Sequence, residues 1–140
     1  MPLHVIVYVL TALAAVVVVL TRVRLGSNKG AGRLRISPTM LNTHTIAGTL
    51  ALLVWVGFLV TGIGEGNGHA VIGIVGLALF WITTIAGLMI LVRWIPSTGR
   101  HSSEAVRDNW SDGPGLSVLA HVGMLVGVLV FTWAYLISAV

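Results

Sequence analysis

The chain has 140 residues, of which 56% are hydrophobic, 9% are charged and none is cysteine. Its length fits one domain at most, and a mean hydropathy of +1.00 is far above that of an ordinary soluble domain. The absence of thiols excludes disulfides, iron–sulfur clusters and covalently attached haem. The composition therefore predicts a single small domain that lies in a membrane.

Four stretches are nearly free of charge, and each is close to or above the length of about 20 residues that crosses a bilayer as a helix. Backbone groups inside lipid must hydrogen-bond to one another, so each stretch is predicted to be α-helical. In chain order the predicted helices cover about 3–21, 40–63, 70–92 and 116–140. The predicted fold is an all-α integral membrane bundle of four transmembrane helices, with residues 1–140 forming one membrane domain.

The basic residues predict the orientation of these helices. All eight Lys and Arg residues lie in two loops, 22–39 and 93–115, whereas the turn between helices two and three carries only Glu65. Short loops rich in Lys and Arg stay cytoplasmic, so both termini are expected on the outer side of a bacterial-type cytoplasmic membrane. The basic loops are expected to contact anionic lipid headgroups, and the positive charge does not require a nucleic-acid partner. The opening MPLHVIVYV lacks the positive n-region of a signal peptide, so we expect it to be retained.

One histidine lies near the start of each predicted span: His4, His44, His69 and His121. Successive helices run in opposite directions, so His44 and His121 are expected near the cytoplasmic face, and His4 and His69 near the outer face. Two neutral imidazoles at one depth on facing helices are what a b-type haem requires. His44 and His121 lie deeper, where ionisable residues are usually functional, whereas the outer two also fit an interfacial role.

Small residues near these histidines are predicted to leave room for a macrocycle. Gly48 shares a helix face with His44, and Gly73, Gly76 and Gly87 share one with His69. The candidate cofactor-binding residues are His44, His121, His4, His69, Gly48 and Gly73, and the four histidines are the candidate iron ligands. Versions with one haem and with two haems are both open.

With histidines at the head of its spans and an HxxxG pattern at His44 and His69, the chain resembles the cytochrome b561-like small membrane b-type cytochromes. The resemblance implies electron transfer through b haems between a donor and quinone or another acceptor. It assigns His44 and His121 to an inner haem, and His4 and His69 to an outer one. The function expected from it is electron transport within a redox complex such as one of a respiratory chain.

Quinone is expected near the inner pair, where Asn42, Thr43 and Thr45 offer polar contacts. The spans contain no acidic residue, which argues against an ion-coupled transporter, and no Ser-His-Asp arrangement suggests hydrolysis. Whether the chain is an enzyme stays open.

A different class of function is also open, because glycine stripes more often serve helix packing than cofactor binding. In that interpretation the chain is a cofactor-free accessory subunit of a larger, respiratory-type membrane complex. The residues on which such packing would depend are Gly73, Gly76, Gly123 and Gly127.

Overall fold

The structure, a computed structural model, describes residues 1–26, 38–61, 67–94 and 114–140, with side chains for 1–20, 39–61, 68–92 and 118–140. These ranges form four α-helices and no strand: α1 (Leu3–Gly26), α2 (Pro38–Thr61), α3 (Asn67–Trp94) and α4 (Pro114–Leu136). Each helix is long and apolar enough to cross a membrane. The predicted all-α bundle of four transmembrane-length helices is confirmed, while most of the two predicted basic loops lies outside the described residues.

The helix ends differ from the predicted limits by several residues. α1 continues to Gly26, five residues beyond the end predicted from hydropathy, because a basic residue leaves the apolar zone without breaking an α-helix. α4 ends at Leu136, four residues before its predicted end. Ser138 adopts a left-handed conformation with φ 54°, and the Ala139 N–H donates to the Ala134 carbonyl at 2.8 Å. This is the hydrogen-bond pattern of a Schellman motif, which closes a helix.

The four helices form a closed ring in which each packs against the next in the chain and α4 packs against α1. α1 and α3 therefore lie on one diagonal of the bundle and α2 and α4 on the other, with no close backbone approach across either diagonal in the described ranges. Neighbours are antiparallel, so α2 and α4 run in the same direction. The interface between α2 and α3 is the most extensive, and α1 packs least against the rest.

The centre of the bundle is filled by aromatic rings. Trp55 of α2 is fully buried and stacks against Phe131 of α4, with centroids 5.2 Å apart and planes at 24°. Phe58 and Phe80 complete the cluster around the Trp55 indole. The indole Nε1–H donates to the Thr11 hydroxyl of α1 at 3.2 Å. The only polar atom of this side chain is therefore satisfied, and one ring links α2 to all three other helices.

The outer surface of the bundle is apolar. Only 17% to 39% of each spanning window is buried inside the bundle, so most of its apolar side chains face outward. Leu53, for example, is 64% exposed on α2. Such a continuous apolar surface is much larger than the patches that soluble monomers expose. It is suited to contact with lipid hydrocarbon.

The glycines of α3 and α4 predict different responses to substitution. A Cβ at Gly73 would lie 2.5 Å from Tyr135 Cε2 and 3.0 Å from Phe58 Cε2, whereas one at Gly123 meets no atom within 4 Å. We expect Gly73→Ala to lower the free energy of unfolding by about 1–3 kcal/mol through overpacking. The matched variant Gly123→Ala should leave it unchanged or raise it by up to about 1 kcal/mol, since alanine has the higher helix propensity. Unfolding in mixed detergent micelles, followed by circular dichroism, measures both, and equal losses would contradict this packing.

Candidate functional site

The two deeper histidines meet inside the bundle even though their helices lie on a diagonal. His44 is six residues after the start of α2, and His121 is seven residues after the start of α4. At 1.5 Å per residue, both lie about 10 Å from the same end of the bundle. Their ring centroids are 5.8 Å apart and their planes make an angle of 25°. The structure therefore brings together the two residues that the sequence analysis assigns to one site.

α3 supplies the surface against which both imidazoles lie. A Cβ at Gly87 would be 2.6 Å from His121 Cδ2, 3.0 Å from His121 Nε2 and 2.9 Å from His44 Cε1. Any side chain at this position would push the rings apart, so the pair depends on glycine here. The helix-face pattern of the sequence predicts Gly87 on the same face as His69. Gly87 lies instead at the opposite end of α3, beside the inner pair, because that face runs the length of the helix.

A backbone carbonyl of α3 orients the imidazole of His44. Its Nδ1 lies 3.0 Å from the Thr83 carbonyl oxygen. A carbonyl oxygen only accepts hydrogen bonds, so Nδ1 carries the proton and donates, and Nε2 of the neutral ring keeps its lone pair. Metal-ligating histidines almost always donate their other N–H to such a partner. His44 therefore presents a pre-oriented nitrogen ligand.

A cavity of about 80 Å³ adjoins His44 on the side of α1. Its lining is mostly apolar, including Phe80 of α3 and Met124 of α4, with Thr45 and Thr83 among its polar residues. Gly48, a predicted cofactor-binding residue, also lines it. A Cβ at Gly48 would lie 3.1 Å from Thr83 Cγ2, so glycine allows α2 and α3 to approach closely here.

Thr84 adds an unusual polar group next to Thr83. Its side chain is only 3% exposed, and its hydroxyl has no hydrogen-bond partner among the residues that the structure describes. Thr84 precedes Gly87 by three residues, a spacing that places both on adjoining parts of one helix face. Buried polar groups of this kind are usually completed by a water or a ligand. The sequence analysis did not single out Thr84, since threonine is common in membrane helices.

The two outer histidines are not brought together. His4 is exposed in the first turn of α1. His69, in the first turn of α3, stacks on Phe58 with centroids 4.4 Å apart and planes at 21°. The space expected beside His69 at Gly73 is occupied by the rings of Phe58 and Tyr135. The end of the bundle that contains His69 is therefore an aromatic cluster rather than an open pair of ligands.

The three polar residues expected to contact quinone face different sides of α2. Asn42 and Thr43 line an open groove of about 430 Å³. Apolar side chains, including Ile46 and Leu50, line the same groove. Thr45 lines the separate cavity beside His44. The polar residues thus divide between an open groove on α2 and the partly open cavity beside His44.

Comparisons with protein-family models, curated proteins and solved structures find no match for this chain. Its class is defined by its own fold and site: a four-helix bundle of transmembrane length with a histidine pair inside. In the described parts of the chain, no group of three or more His, Cys, Asp or Glu residues converges. The nitrogen donors brought together at the site are the imidazoles of His44 and His121.

Proposed function

We propose that this chain is a membrane electron-transfer protein that binds one b-type haem between His44 and His121. The observation that carries the proposal is the convergence of both imidazoles on Gly87, with His44 Nδ1 held by the Thr83 carbonyl. Metal–nitrogen bonds of about 2 Å on either side of one metal atom place two ring centroids roughly 6 Å apart. The 5.8 Å between the centroids is close to this spacing, and binding requires the stacked rings to turn so that a nitrogen edge of each faces the iron.

The donors and the charge of the site fit haem. The spans contain no acidic residue, so a bound metal ion finds no carboxylate to offset its charge, and uncompensated charge is costly in an apolar interior. A porphyrin carries that compensating charge itself and has an apolar body that suits the apolar lining. Neutral imidazoles are the ligands such a centre uses in b-type cytochromes.

The available space is the more demanding requirement. At about 80 Å³ the cavity beside His44 is smaller than a porphyrin, and α3 lies against both rings at Gly87. Binding therefore requires the helices to separate around the pair. α1, which lines the cavity and packs least against the rest of the bundle, is the wall most easily moved.

The chain's own residues have distinct roles in this proposal. His44 and His121 would hold the haem iron, and the Thr83 carbonyl orients His44 and would make it a more basic ligand. The apolar lining, including Phe80 and Met124, keeps water away from the site. A bound haem would supply a one-electron redox couple.

Quinone or quinol is the proposed electron partner. The groove on α2 combines polar side chains, Asn42 and Thr43, with apolar ones, Ile46 and Leu50. This arrangement is complementary to a ring that carries carbonyl groups and an apolar tail. Thr43 is adjacent in sequence to His44, so a ring bound there would lie close to the proposed haem ligand.

A bacterial-type cytoplasmic membrane, with both termini outside and the basic loops on anionic lipid, is proposed as the location. The chain contains no cysteine, so single cysteines can be placed at will. We expect a membrane-impermeant maleimide to label Ser138→Cys in intact cells and Ser27→Cys only after permeabilisation. The reverse pattern would invert the proposed topology.

The second candidate function is a cofactor-free accessory subunit of a larger respiratory-type complex. One observation favours it: Gly123 of α4 is exposed, and a Cβ there would meet no atom within 4 Å. An exposed glycine is typical of helix faces that pack closely against another membrane helix. In this candidate function, that partner helix belongs to a different subunit.

A reduced-minus-oxidised visible spectrum of the gently purified chain, with haem quantitation, tests the first proposal. We expect a b-type α band and about one haem per chain, the stoichiometry of a single pair of axial ligands. About two haems per chain would show that the outer histidines also bind one. No haem in a folded preparation would overturn the electron-transfer proposal and direct attention to co-purifying membrane proteins.

A further inference from the structure

The cavity beside His44 is partly open, and its edges belong to α1 and α2. These edges consist of small and β-branched residues, which are Ala14, Val17 and Val18 on α1 and Thr45, Gly48 and Thr49 on α2. Phe80 and Thr83 of α3 also line the cavity and are buried, whereas the edge residues Val17 and Thr49 are half-buried. The cavity therefore connects the outer surface of the bundle to His44 between these two helices. We call it the α1–α2 opening.

α1 is the helix that the rest of the bundle holds least firmly. Only 17% of its spanning window is buried, the smallest share among the four described spans, and it packs least against its neighbours. Lipid is as apolar as the helix surfaces, so an outward movement of α1 costs van der Waals contacts but no hydrophobic free energy. Regions with few packed contacts also open most easily. Movement of α1 is therefore the least costly way to widen the cavity.

The interfaces that do not involve α1 are held together more firmly. Between α2 and α3, which form the most extensive interface, a Cβ at Gly48 would lie 3.1 Å from Thr83 Cγ2. Between α3 and α4, the Trp81 Nε1–H donates to the Thr132 hydroxyl at 3.2 Å. A large molecule that approaches the histidine pair from the bilayer therefore meets least resistance at the α1–α2 opening.

A hydrogen bond holds α1 against α2 beside this opening. The Trp55 Nε1–H donates to the Thr11 hydroxyl at 3.2 Å, and that hydroxyl donates to the Val7 carbonyl at 2.8 Å. Trp55 is fixed among the buried aromatic rings at the centre of the bundle. The bond therefore ties α1 to the most firmly packed part of the protein.

We infer that the α1–α2 opening is the entrance through which haem passes from the bilayer to His44 and His121. α1 is the wall that moves, and the hydrogen bond between Trp55 and Thr11 is a contact that keeps it closed. The inference rests on the proposed haem site. It adds the route of entry and the residues that control it.

The first test measures the movement of α1 without haem. Thr11→Val keeps the shape of the side chain and removes the acceptor of the Trp55 hydrogen bond. In the haem-free chain in detergent micelles, we expect the amides of α1 to exchange hydrogen about three- to fivefold faster in this variant, since the loss of one hydrogen bond favours opening by that factor. Mass spectrometry of α1 peptides measures the exchange.

Thr132→Val is the matched control for this test. It removes the acceptor of the Trp81 hydrogen bond, which has the same length but joins α3 to α4. Exchange in α1 should then equal that of the unaltered chain. Equal exchange in α1 for Thr11→Val and Thr132→Val would overturn the role of the Trp55 hydrogen bond.

The second test closes the α1–α2 opening with a removable bridge. Val17 and Thr49 each lie six residues from the hydrogen-bonded Thr11 and Trp55, on antiparallel helices, so they lie at one level on the two edges. The chain contains no cysteine, so Val17→Cys combined with Thr49→Cys can be bridged by a short bis-methanethiosulfonate reagent. We expect the bridged haem-free chain in vesicles to take up added ferric haem at least about tenfold more slowly, followed by growth of its Soret band. A reductant that removes the bridge should restore the rate.

The controls are the two single-cysteine variants treated with the same reagent, which adds bulk to the cavity but cannot bridge it. Their uptake should be faster than that of the bridged chain. Equal uptake by the bridged and unbridged double variant would overturn the entry route and leave the haem site standing. A folded chain that takes up no haem in any of these states would overturn the electron-transfer proposal and, with it, the entry route.

Discussion

Replacement of His121 by alanine is expected to remove the b-type spectrum. Haem content should fall from about one per chain to below about a tenth, because a bis-histidine centre loses half of its axial ligands. His44→Ala should have the same effect, since the two rings stack on one another with centroids 5.8 Å apart and either substitution removes one of the two proposed ligands. Haem quantitation and the reduced-minus-oxidised spectrum measure both variants, with circular dichroism to show that helicity is retained.

The outer histidines supply the controls for this experiment. His4 is exposed, and His69 stacks on the Phe58 ring. We therefore expect His4→Ala and His69→Ala to keep full haem content. A loss of half the haem in either variant would mean that a second haem lies at the outer end. The one-haem proposal would then be wrong.

Gly87→Ala tests the same site without removing a ligand. The new Cβ would lie 2.6 Å from His121 Cδ2, so the ring must shift, whereas a Cβ at Gly57 meets no atom within 4 Å. Gly57→Ala is the matched control, and it should leave both the haem content and the redox potential unchanged. If Gly87→Ala and Gly57→Ala bind equal amounts of haem, the placement of His44 and His121 against α3 is contradicted.

Replacement of Trp55 by alanine is expected to cause the largest loss of stability. The free energy of unfolding should fall by about 3 kcal/mol, the lower end of the range for large buried aromatic residues. Inside a membrane this loss comes mainly from van der Waals contacts, since lipid is as apolar as the core. The variant loses the contacts of the indole with the rings of Phe58 and Phe131, and it loses the hydrogen bond to Thr11. Unfolding in mixed micelles, followed by circular dichroism, measures the change.

Two further tryptophan variants separate packing from hydrogen bonding. Trp133 is 60% exposed on α4, so Trp133→Ala should change stability by less than about 0.5 kcal/mol. Trp55→Phe keeps an aromatic ring but loses the Nε1–H donor and part of the buried indole, for which we expect a cost of about 1–2 kcal/mol. A Trp133→Ala variant as unstable as Trp55→Ala would mean that the aromatic core does not hold the bundle together.

Much of the fold could be predicted from hydropathy. Spans of about 20 apolar residues are a direct consequence of bilayer thickness, and helicity follows from the need to satisfy backbone groups in lipid. The helix ends were less predictable because they depend on local backbone geometry. At the end of α4, for instance, Ser138 takes a left-handed conformation that closes the helix.

The depth of each histidine was also predictable, because depth follows from residue count at about 1.5 Å per residue. His44 and His121 were expected at one level, and the structure places them there. Rotation about the helix axis could not be predicted in the same way. On α2 the outward-facing Ile46 and Leu50 are as apolar as the buried Ala51, so no polar stripe marks the lipid side.

The sequence therefore determines that four helices of transmembrane length form and at which level each histidine lies. Tertiary packing determines which side chains meet at that level. It places Gly87 and the Thr83 carbonyl against the inner pair, and it stacks His69 on Phe58. The physical reason is that hydrophobicity specifies which residues enter the membrane, whereas contacts between uniformly apolar helices depend on the fit of one ring against another.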